Sequence, residues 1–367
     1  MRILRNEKAD TIVWAPNFDH WLTVNRANGT LPAAYQGMSR NDLVRAVDAT
    51  IWARSSVLKS RSPGVKIKKQ ELEGKYVRTE YQTPLGSVDT LHVYASDMTQ
   101  ALFLKEHMIK GPEDIKVVRY LVEDMQYELA PEAFLECEAE VGDDGITVVG
   151  LPYCMPYIQF GKTDAGWERG IYLWQDHREE VEGLLGAYSQ RIEEAAKLIA
   201  ASPATVVQSG DNMDQWTTSP PLFRQYAVPH YQRISQILHA SGKVFQGHWC
   251  GRTGHLLPMV KEAGLDVIEA VTVAPMDNLT IPEALDLVGD QVVIQGGIPS
   301  VSMCEQGGSR DELREYVEEL LSQVPLGYRF VLGMSDNVPP DADFSRVQMI
   351  SDIVNNLPKR TEVEEML

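Results

Sequence analysis

The sequence predicts a single α/β domain, a (β/α)8 TIM barrel with an N-terminal extension that carries a hairpin insertion. Short β-branched runs alternate with helical stretches from about residue 146 onward, the pattern of a parallel sheet with helical crossovers. The 367 residues suffice for one such barrel. No low-complexity linker divides the chain. We therefore assign residues 1–367 to one domain, in which 1–100 hold the first strand and the hairpin and 100–367 hold the main βα repeats.

The alternating elements can be read in order along the chain. The predicted strands are 146–153, 204–208, 243–248, 266–270, 291–295 and 328–332. The predicted helices are 178–201, 231–239, 256–263, 281–288 and 310–321. Residues 11–15 add a seventh strand, 80–95 form a hairpin, and we expect an eighth strand near that hairpin. Eight strands close a barrel, and an open doubly wound sheet is the alternative.

Three local signals mark helix ends. Ser309 and Glu312 have the spacing of a capping box that opens the helix at residue 310. Gly242 and Gly264 stand where two other helices stop just before a strand. These signals support the boundaries of the alternating pattern.

Charge and composition limit the class of protein. Lys and Arg total 34 against 52 Asp and Glu, a net charge of −18, which argues against nucleic acid or an anionic membrane as a partner. The first ten residues contain no apolar h-region of a secretory signal. Four cysteines in so long a chain do not form a disulfide framework. We therefore expect a cytoplasmic protein with reduced thiols, and a homodimer stays open.

The most informative motif is the tripeptide His248-Trp249-Cys250 at the end of a predicted strand. Side chains two residues apart on a strand share a face, and imidazole and thiolate are both zinc ligands. The carboxyl end of a barrel strand is also where such enzymes build their sites. The alternative is that His248 is a hydrogen-bonded catalytic or core histidine and Cys250 a buried small apolar residue.

A zinc site needs a third protein ligand and an open position. Glu269 ends the next predicted strand and is our candidate for that ligand. Cys304 lies just past the following strand, and Asp336 is a further oxygen donor near the last strand.

Other polar and aromatic residues follow the strand ends. Asp211 and Asp336 are candidates for a general acid or base, with a helix-capping role as the alternative. Candidate substrate-binding residues come from the ends of several strands and would form a partly aromatic wall suited to a flat ring. They are Asn17, His20, Trp21, Tyr153, Asn212 and Met334, each of which has a place in the core as its alternative.

Motifs for nucleotide cofactors and serine hydrolases are missing. The chain has no G-x-G-x-x-G after a strand, no Walker A sequence and no G-x-S-x-G elbow. We therefore expect no nucleotide cofactor.

Several runs resemble the uroporphyrinogen decarboxylase superfamily. They are Gly-His-Trp-Cys-Gly at 247–251, the segment 257–270, Gly-Gly-Ile-Pro at 296–299 and the segment 331–340. The likeness is strongest over 200–355, and residues 21–35 are similar to the arginine-containing signature of the decarboxylases. The resemblance implies a single (β/α)8 barrel, in agreement with the strand count.

The superfamily has two main branches. Decarboxylases bind tetrapyrrole carboxylates through two arginines and need no cofactor; this chain has Arg26 but Thr30 in place of the second arginine. Cobalamin-dependent methyltransferases carry His-x-Cys and a later Cys as zinc ligands, and His248 and Cys250 match the first two. Met334 stands where the later Cys is expected. A thioether is a poor zinc ligand, so Glu269 would complete the set, or the metal would be weakly bound or absent.

The resemblance therefore implies the first methyltransferase of an O-demethylation system. Such an enzyme moves a methyl group from a small donor, here a methoxylated aromatic, to the Co(I) centre of a separate corrinoid protein. The chain lacks the D-x-H-x-x-G pattern of corrinoid-binding domains, so cobalamin would arrive on that partner. Zinc would act as the Lewis acid, and Asp336 or Asp211 would donate the proton if metal is absent. A cofactor-free decarboxylase and a non-catalytic binding subunit are the alternatives.

Overall fold

Eight parallel strands form a nearly closed barrel in the computed structural model, which describes residues 1–94 and 102–360. The strands are β1 Val13–Ala15, β2 Ile51–Ser55, β3 Gly145–Gly150, β4 Val206–Ser209, β5 Val244–His248, β6 Val267–Val271, β7 Val293–Ile298 and β8 Phe330–Met334. Their spatial order is β1-β8-β7-β6-β5-β4-β3-β2. A backbone hydrogen bond from the Thr50 N–H to the Trp14 carbonyl (2.8 Å) joins the two ends. The predicted TIM barrel is confirmed, and the open doubly wound sheet was the wrong alternative.

Helices connect the strands on the outside of the barrel. The main ones are Asp19–Asn28, Arg40–Ala46, Pro112–Asp124, Glu132–Val141, Trp167–Asp176, Arg178–Ala200, Val228–His239, Val260–Ala263, Ile281–Val288, Arg310–Gln323 and Ser345–Asn355. The helices predicted at 178–201, 281–288 and 310–321 are confirmed almost to the residue. The helix predicted at 256–263 begins as the 3-10 turn Leu257–Met259 and continues as Val260–Ala263. No helix in the described part of the chain is long and apolar enough to span a membrane.

Alternation along the strands separates two cores. Val206, Val244, Val267, Val293 and Val331 belong to one apolar cluster that fills the lower part of the barrel interior. Their neighbours in the chain lie on the outer strand faces and pack against the helices: Val207, Phe245, Ile268, Ile294 and Leu332. Because side chains two apart share a face, the next inward residues are Gln208, Gln246, Glu269 and Gln295. The barrel interior is therefore apolar below and polar above, next to the carboxyl ends of the strands.

The eighth strand is β2, and its predicted place was wrong. We expected it near the hairpin at 80–95, but Ile51–Ser55 lies well before that hairpin. The strand is short and contains the charged Arg54, which interrupts the apolar run that identifies a buried parallel strand. A strand with an inward-facing cation is therefore hard to recognise from its pattern.

The hairpin itself is confirmed as part of a larger insertion between β2 and β3. Strands Tyr76–Thr83 and Gly86–Tyr94 pair in antiparallel register, and residue 95 of the predicted hairpin lies outside the described residues. Lys66–Leu72 and Leu102–Glu106 extend the pair to a four-stranded sheet. A separate ribbon joins Leu58–Arg61 to Gln126–Leu129.

The predicted helix-end signals are confirmed. The Glu312 N–H donates to Ser309 Oγ (3.1 Å), and the Ser309 N–H donates to Glu312 Oε2 (2.6 Å). Gly264 has a φ of 83° at the C-cap of Val260–Ala263, and Gly242 has a φ of 67°. This left-handed backbone is the conformation for which glycine ends helices.

An aromatic cluster packs the segment after β1 against the segment after β8. The Phe344 ring stacks on Trp21 with 4.1 Å between centroids and contacts Phe18 and Tyr35 edge-on. Trp21 and Phe18 belong to the segment after β1, whereas Phe344 follows β8. The cluster therefore joins two strands that the barrel must hold side by side.

We predict that Phe344→Ala lowers the free energy of unfolding by about 3–5 kcal/mol, because it leaves a cavity beside three aromatic rings. Chemical denaturation measures this loss, and Tyr172→Ala is a control because the Tyr172 side chain is 63% exposed. A loss below about 1 kcal/mol, typical of surface substitutions, would contradict the role of the cluster.

Candidate metal centre

The turn after β5 places His248 and Cys250 on one side of the chain and Trp249 on the other. Trp249 is completely buried and packs edge-on against Phe223, with 5.4 Å between ring centroids. The backbone N–H of Trp249 donates to the Glu269 carbonyl (2.9 Å), which keeps this turn next to β6. With Trp249 held in the outer core, His248 and Cys250 are left half-buried on the barrel side.

Asp336 completes a three-residue cluster. One potential ligand atom from each of His248, Cys250 and Asp336 lies within 4.8 Å of the other two. Zinc bonds to nitrogen, oxygen and sulfur are about 2.0–2.3 Å long, so tetrahedral ligands lie about 3–4 Å apart. Small side-chain rotations would bring these three atoms to that spacing. We call these residues the His-Cys-Asp cluster, and their donor set fits a zinc ion with one open position.

Glu269 lies behind His248, outside the cluster. It is paired with His248 in the register of β5 and β6, and its Oε2 contacts His248 Nδ1. Gln208 Nε2 donates to the same oxygen (3.1 Å). With Nδ1 engaged, Nε2 is the imidazole nitrogen left for a metal, an arrangement that proteins use to orient metal-binding histidines. The oxygen of the cluster thus comes from Asp336, whereas Glu269, which stays a prediction as a ligand, contacts His248 Nδ1.

The charges of this pair reinforce each other. Burial opposes a charged imidazole, but the Glu269 carboxylate and Cys250 raise the pKa of His248 well above its usual 6.5. Burial likewise opposes a charged Glu269, but His248 and Arg54 hold the pKa of that carboxyl below 4.5. Both pKa shifts favour the charged forms, an imidazolium and a carboxylate. A metal that binds the imidazole would displace its proton.

The other candidate acid, Asp211, is enclosed in the protein just after the end of β4. It is fully buried and accepts hydrogen bonds from the Met155 N–H (2.6 Å), the Ser209 hydroxyl (3.0 Å) and the Tyr231 hydroxyl (2.6 Å). Burial raises the pKa of Asp211, and these three hydrogen bonds oppose the rise. Its two oxygens join three segments of the chain, so the arrangement is that of a structural anchor.

Two predicted substrate-binding residues brace the loops around the cluster. The Asn17 side chain donates to the Asp336 carbonyl (3.1 Å), and the Val338 N–H donates to the Asn17 carbonyl (2.7 Å). The N–H of Asn212 donates to the His248 carbonyl (3.0 Å) from a left-handed backbone with a φ of 51°. Both contacts fix main chain that carries cluster residues.

The remaining predicted substrate-binding residues make no such contact with the loops of the cluster. Trp21 and Met334 are each 3% exposed and belong to the outer core. His20 is half-buried in the first turn of Asp19–Asn28, and Tyr153 packs edge-on against Tyr188. Because Met334 shares its cluster with Leu332, on the outer face of β8, its thioether points away from the His-Cys-Asp cluster.

Cys304, the further sulfur candidate, is also outside the cluster. Its side chain is 7% exposed, and its Sγ lies 3.5 Å from Asp341 Oδ1. Burial raises the pKa of this thiol to about 11, with Asp341 adding to the effect. Cys304 therefore lines a separate groove, together with Asp341.

Sequence reasoning missed two features near the cluster. Gln208 and Arg54 face Glu269 from β4 and β2, and the only sequence signal is a polar residue within a short strand. A groove of about 960 Å³ also runs beside the loop after Cys250. There Trp216 is 74% exposed, and the Arg252 guanidinium lies 4.1 Å above its ring.

We predict that Asp211→Ala lowers the free energy of unfolding by about 1–3 kcal/mol, because buried donors lose their acceptor. Asp336→Ala is the matched carboxylate control and should change stability by less than about 0.5 kcal/mol, since Asp336 is exposed. Chemical denaturation of both variants measures the difference. An Asp211→Ala protein as stable as the wild type would contradict the anchor role.

Comparison with known proteins identifies the family. The uroporphyrinogen decarboxylase (URO-D) family matches residues 146–357. Uroporphyrinogen decarboxylases of Tropheryma whipplei, strains Twist and TW08/27, are 24% identical over 110 residues, which is 30% of this chain. The aligned part spans only about a quarter (26%) of the length of these curated relatives.

A solved structure extends the likeness to the whole fold. A methyltransferase from Methanosarcina mazei superposes with a TM-score of 0.58 over 96% of both chains, at 15% identity. At this identity the likeness concerns the fold. The family match covers more than half of the chain and confirms the resemblance read from the sequence: this protein belongs to the uroporphyrinogen decarboxylase family.

Proposed function

We propose that this protein is a methyltransferase that moves a methyl group from a small donor, a methoxylated aromatic, to the Co(I) corrinoid of a separate protein. The observation that carries the proposal is the His-Cys-Asp cluster at the open end of the barrel. Support also comes from the fold shared with the M. mazei methyltransferase. His248, Cys250 and Asp336 would hold zinc, with Glu269 orienting the histidine.

The proposed reaction requires activation of a poor leaving group, the phenolate oxygen. The bond between the methyl carbon and this oxygen breaks and leaves its electron pair on the oxygen, while the methyl carbon forms a new bond to the Co(I) of the partner's corrinoid. When bound, zinc supplies Lewis acidity at that oxygen. Asp336 carries the same charge as the thiolate it replaces, and a carboxylate is the harder ligand. It therefore donates less electron density and favours an oxygen-activating site over one that activates a thiol.

The surroundings of the cluster suit a docking partner. Asp336 is exposed, so the site is open to a large molecule. The neighbouring groove presents Trp216 and Arg252, and these residue types are enriched at interaction hot spots. A partner bound there would lie beside the loop that carries Cys250.

A cofactor-free decarboxylase is the alternative, and the names of the curated relatives favour it. The signature residues weaken it. Arg26 donates to the Met38 carbonyl, which engages its guanidinium with the main chain. Thr30, in place of the second arginine, donates to Asn25 Oδ1 (2.6 Å). Arg26 is bonded to the main chain and the second arginine is missing. The chain therefore lacks the pair of arginines that would bind substrate carboxylates.

We predict that the zinc-loaded protein transfers a methyl group from a methoxylated aromatic to free cob(I)alamin. The change in corrinoid absorbance and the release of the phenol measure this reaction. His248→Ala and Cys250→Ala should each lower the rate by about a hundredfold or more, because Lewis-acid activation is worth several kcal/mol. Cys304→Ala is the matched control, since Cys304 lies outside the cluster.

Two outcomes would contradict the proposal. Release of CO₂ from an aromatic or tetrapyrrole acid without corrinoid would establish the decarboxylase. Tight binding of a partner without turnover of any methyl donor would establish a non-catalytic binding subunit.

A further inference from the structure

We infer that Arg54 is a positioning residue of the metal centre, which acts on His248 through Glu269. The inference rests on the proposed metal site and adds a group that reaches it from the opposite wall of the barrel. Arg54 lies on β2, whereas Glu269 and His248 lie on β6 and β5. No ligand atom of the cluster comes from Arg54.

The two oxygens of Glu269 face different groups. Oε2 contacts His248 Nδ1 and accepts from Gln208 Nε2 (3.1 Å). Oε1 lies 3.9 Å from Arg54 Nη2. The carboxylate therefore lies between a histidine and an amide on one side and a guanidinium on the other, an arrangement that favours one direction of the Nδ1 contact.

The burial of Glu269 makes a counter-cation necessary. Its side chain is 4% exposed, and a buried carboxylate is costly unless it is paired. His248 faces only Oε2 of this carboxylate, and the guanidinium of Arg54 is the cation that faces the other oxygen. Among the ion pairs of the described residues, Arg54 is then the side chain that offers Glu269 a permanent cation.

Arg54 is itself oriented across the gap between β1 and β2. Its Nη1 lies 4.0 Å from Asp19 Oδ2, and Asp19 Oδ1 accepts from Arg40 Nε (2.7 Å). Arg40 also donates to the Trp52 carbonyl on β2 (2.9 Å). These contacts bridge strands that have little backbone pairing. Because the Arg54 side chain is 43% exposed, solvent screening moderates its effect on Glu269.

The test is the zinc dissociation constant of the full-length protein, measured by competition with a chromophoric chelator. Glu269→Gln should weaken zinc binding by about 10–100-fold, and Arg54→Gln by about tenfold, the lower end for an outer partner. Arg54→Lys, which keeps the charge, should restore most of the affinity. Arg45→Gln is the control, because Arg45 pairs with Asp144 on the outside of the barrel.

A double-mutant cycle separates positioning from general damage. If Arg54 acts through Glu269, Arg54→Gln should cause no further loss in the Glu269→Gln background. Equal losses in both backgrounds, or wild-type affinity in Arg54→Gln, would overturn this inference alone. A wild-type protein that binds no zinc would overturn the metal centre and the inference together. If Arg54→Gln does not fold, Arg54→Met serves in the same cycle because it keeps the apolar stem.

Discussion

The contact between the His248 imidazole and the Glu269 carboxylate is the interaction on which the rest of the site depends. It fixes which imidazole nitrogen faces the barrel opening, and it requires a buried negative charge on β6. Gln208 and Arg54 both face that charge. His248 also lies next to Cys250 and Asp336, with one potential ligand atom of each residue within 4.8 Å of the other two.

The barrel supplies the geometry that this contact needs. Parallel register puts His248 directly beside Glu269 on the next strand, and alternation turns both side chains toward the interior. The valine layer below is apolar and buried. Polar side chains are therefore confined to the upper part of the barrel, where the strand ends open. The same arrangement excludes Met334, whose position on β8 faces the outer core.

The parts of the fold and site that follow local rules could be predicted from the sequence. The long helices, the capping box at Ser309 and the His-x-Cys pair all depend on spacing within one segment. Glu269 was identified because strand ends meet at one rim, but spacing does not say whether a carboxylate binds a metal or a histidine. In the structure the Glu269 carboxylate contacts His248 Nδ1.

The parts that depend on several segments could be predicted only in part. Asp336 was named as a further oxygen donor, but its place in the cluster depends on the loop after β8, which is held by Asn17 from another strand end. Asp211 is an anchor because donors from three segments converge on it. Strand β2 was not predicted because Arg54 interrupts its apolar pattern. The same residue faces Glu269 across the barrel.

The most direct test of the central claim is X-ray absorption at the zinc edge of the zinc-loaded protein. The His-Cys-Asp cluster predicts one sulfur ligand at about 2.3 Å together with nitrogen and oxygen ligands at about 2.0–2.2 Å. A spectrum with two or more sulfur ligands, or with none, would contradict this ligand set.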